Sequence, residues 1–344
     1  MKTIRIILIL ASGLAFSQDL HFTQFYSTPL IVNPANTGRF NDDARLSFIH
    51  RRQWASLNSD FISTALSADF NLRTKWLKKD KIGFGVVGYH DDLAQGMLRT
   101  NAVHLSGAYH RMLDDARRHR LSGGLQLGYS QKTIDDANLV FGNQYRNFVY
   151  DPNLPNNESF GGLRSGKFDV QTGFAYQFVI SPKLDWTTGL SFFQIHQPKE
   201  SILTNSNATQ NRLGRRWLGT TGINYKISDA VMVSPQIMYM RQSKASDFNF
   251  GGFFTFTLPS ATLIQLFAGG FYRASDAAIA LVGARVKNLD MKFTYDATTS
   301  DARNIRGADF ATNKPVGAYE FSLTYYLKFK RKHPTEYNVP CGIF

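Results

Sequence analysis

Between Ala44 and Lys328, about fourteen short segments alternate apolar and polar residues. From Lys167 to Ile180, Phe168, Val170, Thr172, Phe174, Tyr176 and Phe178 share one face, while Asp169, Gln171, Gly173, Ala175 and Gln177 share the other. Near the C-terminus, Tyr319, Phe321, Leu323, Tyr325 and Leu327 oppose Glu320, Ser322, Thr324, Tyr326 and Lys328. Successive side chains of a strand point to opposite faces, so each segment presents one apolar and one polar surface. A single segment of this kind fits a soluble sandwich as well as a membrane barrel. The connections separate the two.

The alternation predicts strands near 44–50, 61–70, 82–90, 100–111, 120–132, 168–180 and 184–196, then 217–228, 230–242, 247–257, 261–273, 277–287, 290–299 and 316–328. Connections after even-numbered strands include Ser181-Pro182-Lys183, Ser228-Asp229-Ala230, Leu258-Pro259-Ser260 and Lys287-Asn288-Leu289-Asp290, the composition of tight turns. The longest linkers, 133–167, 197–216 and 300–315, all follow odd-numbered strands. Bacterial outer-membrane barrels have short periplasmic turns and long external loops. A sandwich has no reason to sort its linkers by parity. Glycines recur inside the strands, among them Gly83, Gly85, Gly124 and Gly270, and in a closed curved sheet they mark bends, bulges or close backbone approach. The expected fold is all-β: a transmembrane antiparallel β-barrel of about fourteen strands with an N-terminal plug-like segment.

The chain opens with Lys2 and Arg5, an apolar core Ile6-Ile7-Leu8-Ile9-Leu10-Ala11, and Ala15-Phe16-Ser17 before Gln18. A charged start, a short apolar core and small residues flanking a cut describe a secretory signal peptide over 1–17. The core is too short for a spanning helix, and no later stretch approaches the roughly 18 unbroken apolar residues that one needs. A mean hydropathy of −0.25 does not argue against a membrane, because alternation averages out in a barrel. The one cysteine, Cys341, excludes an intramolecular disulfide. The net charge of +13 gathers in Lys75-Trp76-Leu77-Lys78-Lys79, Arg117-Arg118-His119-Arg120 and Lys328-Phe329-Lys330-Arg331-Lys332, all at strand ends. Such clusters suit anionic headgroups or protein partners beside a membrane, and no nucleic acid is expected.

Motif chemistry is sparse. Gly83-Phe84-Gly85-Val86-Val87-Gly88 matches a dinucleotide fingerprint as a string, but it lies within a period-two strand with no helix opening in it. Gly161-Gly162-Leu163-Arg164-Ser165-Gly166-Lys167 is followed by Phe168 where a phosphate loop needs Ser or Thr. The eight histidines lack ligand spacing, and no Gly-x-Ser-x-Gly elbow is present. The acidic pairs Asp91-Asp92, Asp114-Asp115 and Asp135-Asp136 read as solvated turns before they read as calcium ligands. No catalytic, cofactor or metal site is expected.

Two regions carry candidate function. Linker 133–167 holds Phe141, Tyr145, Phe148, Tyr150 and Phe160, an aromatic load suited to a partner-binding surface, with closure of the lumen as the other reading. Segment 18–43 carries Phe22, Phe25, Tyr26, Leu30 and Ile31 and is too apolar to hang in water. It is expected to plug the barrel or dock on a periplasmic partner.

The stretch from His21 to Gly38, His-Phe-Thr-Gln-Phe-Tyr-Ser-Thr-Pro-Leu-Ile-Val-Asn-Pro-Ala-Asn-Thr-Gly, closely resembles the N-terminal signature of the PorP/SprF family. Further strings match in order: Arg52-Gln53-Trp54, Leu121 to Tyr129, Phe141-Gly142-Asn143-Gln144, Asp151 to Pro155, Leu190-Ser191-Phe192-Phe193 and Gly317-Ala318-Tyr319-Glu320. The ending Pro340-Cys341-Gly342-Ile343-Phe344 departs from the family's usual Pro-Cys-Pro-Arg-Phe. The resemblance implies a non-enzymatic outer-membrane component of the type IX secretion and gliding-motility apparatus. Its implied partners are a secreted surface protein or adhesin with a type IX sorting domain, periplasmic or outer-membrane machinery components, and outer-membrane lipid. The expected organisation is a signal peptide (1–17), an N-terminal segment (18–43), a barrel (44–328) and a basic periplasmic tail (329–344). The alternative function is a diffusion channel for a small or hydrophobic solute, since barrels of this size can leave a lumen.

Overall fold

The computed structural model describes residues 22–55, 60–73, 75–77, 79–93, 96–135, 142–146, 149–151, 153–155, 164–199, 212–259, 263–300 and 317–329. Fourteen antiparallel strands form one closed barrel. They are β1 (Ala44–Gln53), β2 (Phe61–Leu72), β3 (Lys81–Leu93), β4 (Leu98–Met112), β5 (His119–Ile134), β6 (Arg164–Ser181) and β7 (Leu184–Phe193). The second half comprises β8 (Arg216–Lys226), β9 (Val231–Gln242), β10 (Ala245–Leu258), β11 (Ile264–Arg273), β12 (Ala277–Val286), β13 (Leu289–Thr298) and β14 (Gly317–Leu327). Each strand pairs with its chain neighbours, and β1 pairs with β14 from Ala44↔Leu327 to Gln53↔Ala318 to close the ring. All fourteen expected strands are present.

Their ends differ where alternation fades. β6 begins at Arg164 rather than near 168, because Arg164-Ser165-Gly166-Lys167 is polar on both faces and still pairs with β5. β7 stops at Phe193, not 196, where Gln194 takes a left-handed φ of 50°.

The faces are inverted relative to a soluble protein. Outward positions are large and apolar, with Leu105 68% and Phe174 55% exposed, whereas inward positions such as Ser191, Thr294, Gln126 and Glu320 are buried. Only lipid makes that inversion favourable, since a closed barrel satisfies its backbone internally and offers an apolar belt outside. One end of the barrel carries the turns at 182–183, 227–230 and 287–288; the other carries the long linkers. The long-loop end is not uniformly long: β9–β10 and β11–β12 are joined there by the tight turns Ser243-Lys244 and Ala274-Ser275-Asp276.

Residues 22–43 lie inside the ring. They form a 3-10 turn at Phe25–Ser27, the one-turn helix α1 at Pro29–Val32 and a second 3-10 turn at Pro34–Asn36. Pro29 and Pro34 stand at the first position of their turns, where a preset φ helps and a missing N–H costs nothing. The Asn33 side chain accepts the Ala35 N–H at 2.8 Å. The lumen around this segment is two-sided. Toward β7–β12, Phe25, Tyr26 and Val32 meet an apolar cluster that includes Phe253, Phe271 and Leu281. Toward β1–β6 the wall is polar, with Arg45, Asp69, Ser106, His110 and Gln126 buried against it.

Candidate functional site

The inserted segment is gripped at three heights. Near the long-loop end, the Glu320 carboxylate accepts the backbone N–H groups of Thr23 and Gln24 at 2.6 and 2.8 Å. The Thr23 hydroxyl donates to Asp296 at 2.6 Å. Arg51 donates to Glu320 at 2.6 Å and to Asp296 at 3.1 Å, and Arg273 donates to Asp296 at 2.7 Å. Two guanidinium groups and two carboxylates are thereby buried with their charges balanced. Breaking such a set is expensive, because removal of one member leaves an uncompensated charge.

At mid-height, Asn33 Nδ2 donates to the Phe174 carbonyl at 3.0 Å, and Ser191 Oγ donates to the Val32 carbonyl at 2.7 Å. The chain comes this close because the wall carries glycine where it arrives. A Cβ on Gly124 would stand 2.4 Å from the Pro34 carbonyl carbon, and one on Gly173 would stand 2.0 Å from Asn33 Oδ1. Near the short-turn end, Asp69 binds Arg45 at 3.0 and 2.7 Å and accepts the Gly38 N–H at 2.7 Å. Gly38 has φ +69° and its Cα side faces Gly83, so both conformation and space require glycine there. The His110 ring joins Ser122 Oγ and the Thr37 carbonyl, each at 2.8 Å.

Of the sequence-identified plug residues, Phe22, Phe25, Tyr26 and Leu30 are buried and Ile31 is partly buried, all within the lumen. Segment 22–43 therefore packs inside its own barrel rather than standing free at the short-turn end.

The second candidate region is a small hairpin at the long-loop end. Tyr145–Arg146 pairs with Val149–Tyr150, and Tyr145 faces Tyr150 in register. Asp151 donates its N–H to the Gln144 carbonyl at 2.9 Å, and Gln144 Nε2 donates to the Leu154 carbonyl at 3.3 Å. Gln144 thus holds Asp151 and Leu154 across the hairpin. Tyr145 is 38% and Val149 64% exposed. Phe141, Phe148 and Phe160, the Tyr150 side chain, residues 1–17, where a signal peptide is expected, and nearly all of the 329–344 tail lie outside the described residues.

Sequence reading missed the ionic grip on the segment. Its signal is present: Arg51, Asp296 and Glu320 occupy inward-parity positions within strands and are buried, where a charge without a partner is untenable. Among the described residues, no group of three or more His, Cys, Asp or Glu is placed to hold a metal ion, and no helix is long and apolar enough to cross a membrane.

The family model described as Type IX secretion system membrane protein PorP/SprF matches residues 14–325. The chain belongs to the PorP/SprF family. Three of its signature strings have a common physical use in this family member: Phe22–Gly38 lies in the inserted segment, Leu121–Tyr129 supplies Ser122 and Gly124, and Gly317–Glu320 supplies the carboxylate that holds Thr23 and Gln24. No curated protein matches this PorP/SprF chain. Solved structures that resemble it include a Pseudomonas aeruginosa FadL homologue (TM-score 0.54, 8% identity, 87% of this chain and 94% of that one). The CymD monoaromatic hydrocarbon channel gives TM-score 0.51 at 9% identity over 89% and 94% of the two chains. The Pseudomonas putida toluene transporter TodX gives 0.51 at 8% over 90% and 98%. At these identities the likeness is one of fold: a membrane β-barrel.

Proposed function

We propose that this PorP/SprF protein is a non-enzymatic outer-membrane component of type IX secretion that binds, anchors or assembles a secreted surface protein. The short-turn end faces the periplasm and the secretion machinery, and the long-loop end faces the exterior. The observation carrying this reading is the hairpin in the β5–β6 linker with Tyr145 and Val149 exposed, on a barrel whose lumen is occupied by its own chain. Exposed aromatic and β-branched side chains on a braced hairpin present a preformed contact surface, and aromatic anchors dominate binding energy at protein interfaces. Family membership supports the pathway; the cargo with a type IX sorting domain is part of the proposal.

The second reading is a diffusion channel for a small or hydrophobic solute, which has the support of neighbours named as a monoaromatic hydrocarbon channel and a toluene transporter. The grip on residues 23–38 opposes it, because passage would require those buried ion pairs and backbone contacts to break. A photo-crosslinking amino acid in place of Tyr145 tests the proposal in cells. Capture of a secreted surface protein supports it, and crosslinks confined to this barrel's own loops contradict it.

A further inference from the structure

The segment does not fill the lumen evenly. Between Tyr26, Phe40 and the inner wall of β9–β14 and β1 lies a cavity of about 280 Å³, just below the roughly 300–1,000 Å³ of ordinary small-molecule sites. Its rim, with Asn41, Asp42, Gln265 and Arg285, is partly exposed and lies at the short-turn end. Its floor is buried and aromatic: Tyr26, Phe253 and Phe267. Beyond the floor, Phe25, Phe271 and Leu281 pack together. The cavity is therefore a pocket entered from the short-turn end, not a passage.

Its polar chemistry is specific. Three hydroxyls that line it, on Tyr26, Ser47 and Thr255, are buried and have no hydrogen-bond partner among the described residues. Buried polar groups are normally paired, and these three hydroxyls leave hydrogen-bonding capacity unused beside the cavity. Of the lining cations, Arg45 is matched by both oxygens of Asp69, and Arg285 by both oxygens of Asp290. Lys292 has only a 3.5 Å approach to that same Asp290, and its ammonium lies 4.9 Å from the Phe267 ring centre and 5.6 Å from that of Tyr26. Its stem crosses Gly283, where a Cβ would stand 2.9 Å from Lys292 Cγ. An ammonium over an aromatic floor, sharing its carboxylate with an arginine, leaves room for a second anion.

We propose that this pocket binds a small amphipathic monocarboxylate, with its apolar body on Phe253 and Phe267 and its carboxylate between Lys292 and the surrounding hydroxyls. This is a site for a small molecule, independent of the partner surface at the opposite end. The preference for an acid over an amine rests on Lys292, since Arg45 is matched by Asp69 and Arg285 by Asp290.

The test uses the purified full-length barrel in detergent, with hexanoate, benzoate, benzyl alcohol and benzylamine as probes, followed by isothermal calorimetry and saturation-transfer NMR. The two acids should bind more tightly than the alcohol, and the amine should not compete. Lys292→Gln should weaken the acids by roughly tenfold, the factor for one charge-assisted hydrogen bond, and leave the alcohol unchanged. Thr255→Leu should remove acid and alcohol together by filling the space. Heat-modifiable gel mobility confirms that each variant is folded. Failure of both acids to bind the wild-type barrel overturns the site. Equal binding of acid, alcohol and amine, or unchanged acid affinity in folded Lys292→Gln, overturns the carboxylate assignment.

Discussion

Arg51 and Glu320 face each other across the seam where the first and last strands close the barrel, with Nη1 and Oε1 2.6 Å apart and both side chains buried. The same Glu320 holds the backbone of Thr23 and Gln24. Barrel closure and retention of the inserted segment thus share one carboxylate. Glu320→Gln should cost about 3 kcal/mol or more, because Arg51 would lose a buried charge partner. A lower urea midpoint in detergent, relative to Glu320→Asp, checks it.

The glycine seats predict a separable effect. Gly173→Val puts atoms where Asn33 sits, and Gly124→Val puts them against the Pro34 backbone. Neither glycine belongs to the ion pairs at the seam, so the barrel should still close while the segment is displaced. Expected outcomes are new protease cleavage between residues 22 and 43, and raised single-channel conductance in planar bilayers over a nearly silent wild type.

Phe174 projects outward at mid-strand on β6, whereas Leu72 projects outward at the short-turn end of β2. Phe174→Arg should cost about 2–4 kcal/mol and Leu72→Arg about 0–1, following the depth dependence of charge on a lipid face. Folding into liposomes followed by urea titration ranks the two. Gln171, on the opposite face from Phe174, is buried and donates to Asp169 at 2.8 Å. It is a packed position, so a gentle control belongs at a strand end.

Orientation is tested by single cysteines in a Cys341→Ser background. Asn153→Cys, beside the hairpin, should react with an impermeant maleimide on intact cells, and Lys183→Cys, in the β6–β7 turn, only after lysis. The segment adds a second expectation. Its Asp43 end joins β1 at the short-turn end, while Thr23 is held by residues near the long-loop ends of β1, β11 and β13. An epitope placed just before Phe22 should therefore be reached from the same side as Asn153.

The strands were legible because lipid outside and polar side chains inside impose a period of two on every one of them. Linker parity carried the topology for the same reason: each crossing reverses direction. The inserted segment was legible from Phe25, Tyr26 and Leu30, which are too apolar for water. Its partners were not, because the contacts join residues far apart in sequence: Thr23 with Glu320, Asn33 with Phe174, Thr37 with His110. Inward glycines such as Gly124 and Gly173 signalled close approach without naming what approaches. The cavity beside Tyr26 was invisible in sequence, since it is the space left by an irregular segment against a curved wall.

The central claim is that the braced hairpin holds a secreted surface protein, and the direct measurement is the surface proteome of a Tyr145→Ala, Val149→Ala double variant against wild type. Losing exposed anchors at a binding centre commonly costs about 2 kcal/mol, roughly a 30-fold loss of affinity. The account predicts that one or more surface proteins are lost from the cells and appear in the medium, while heat-modifiable mobility and the amount of barrel stay unchanged. An unchanged surface proteome with a folded variant barrel would contradict it.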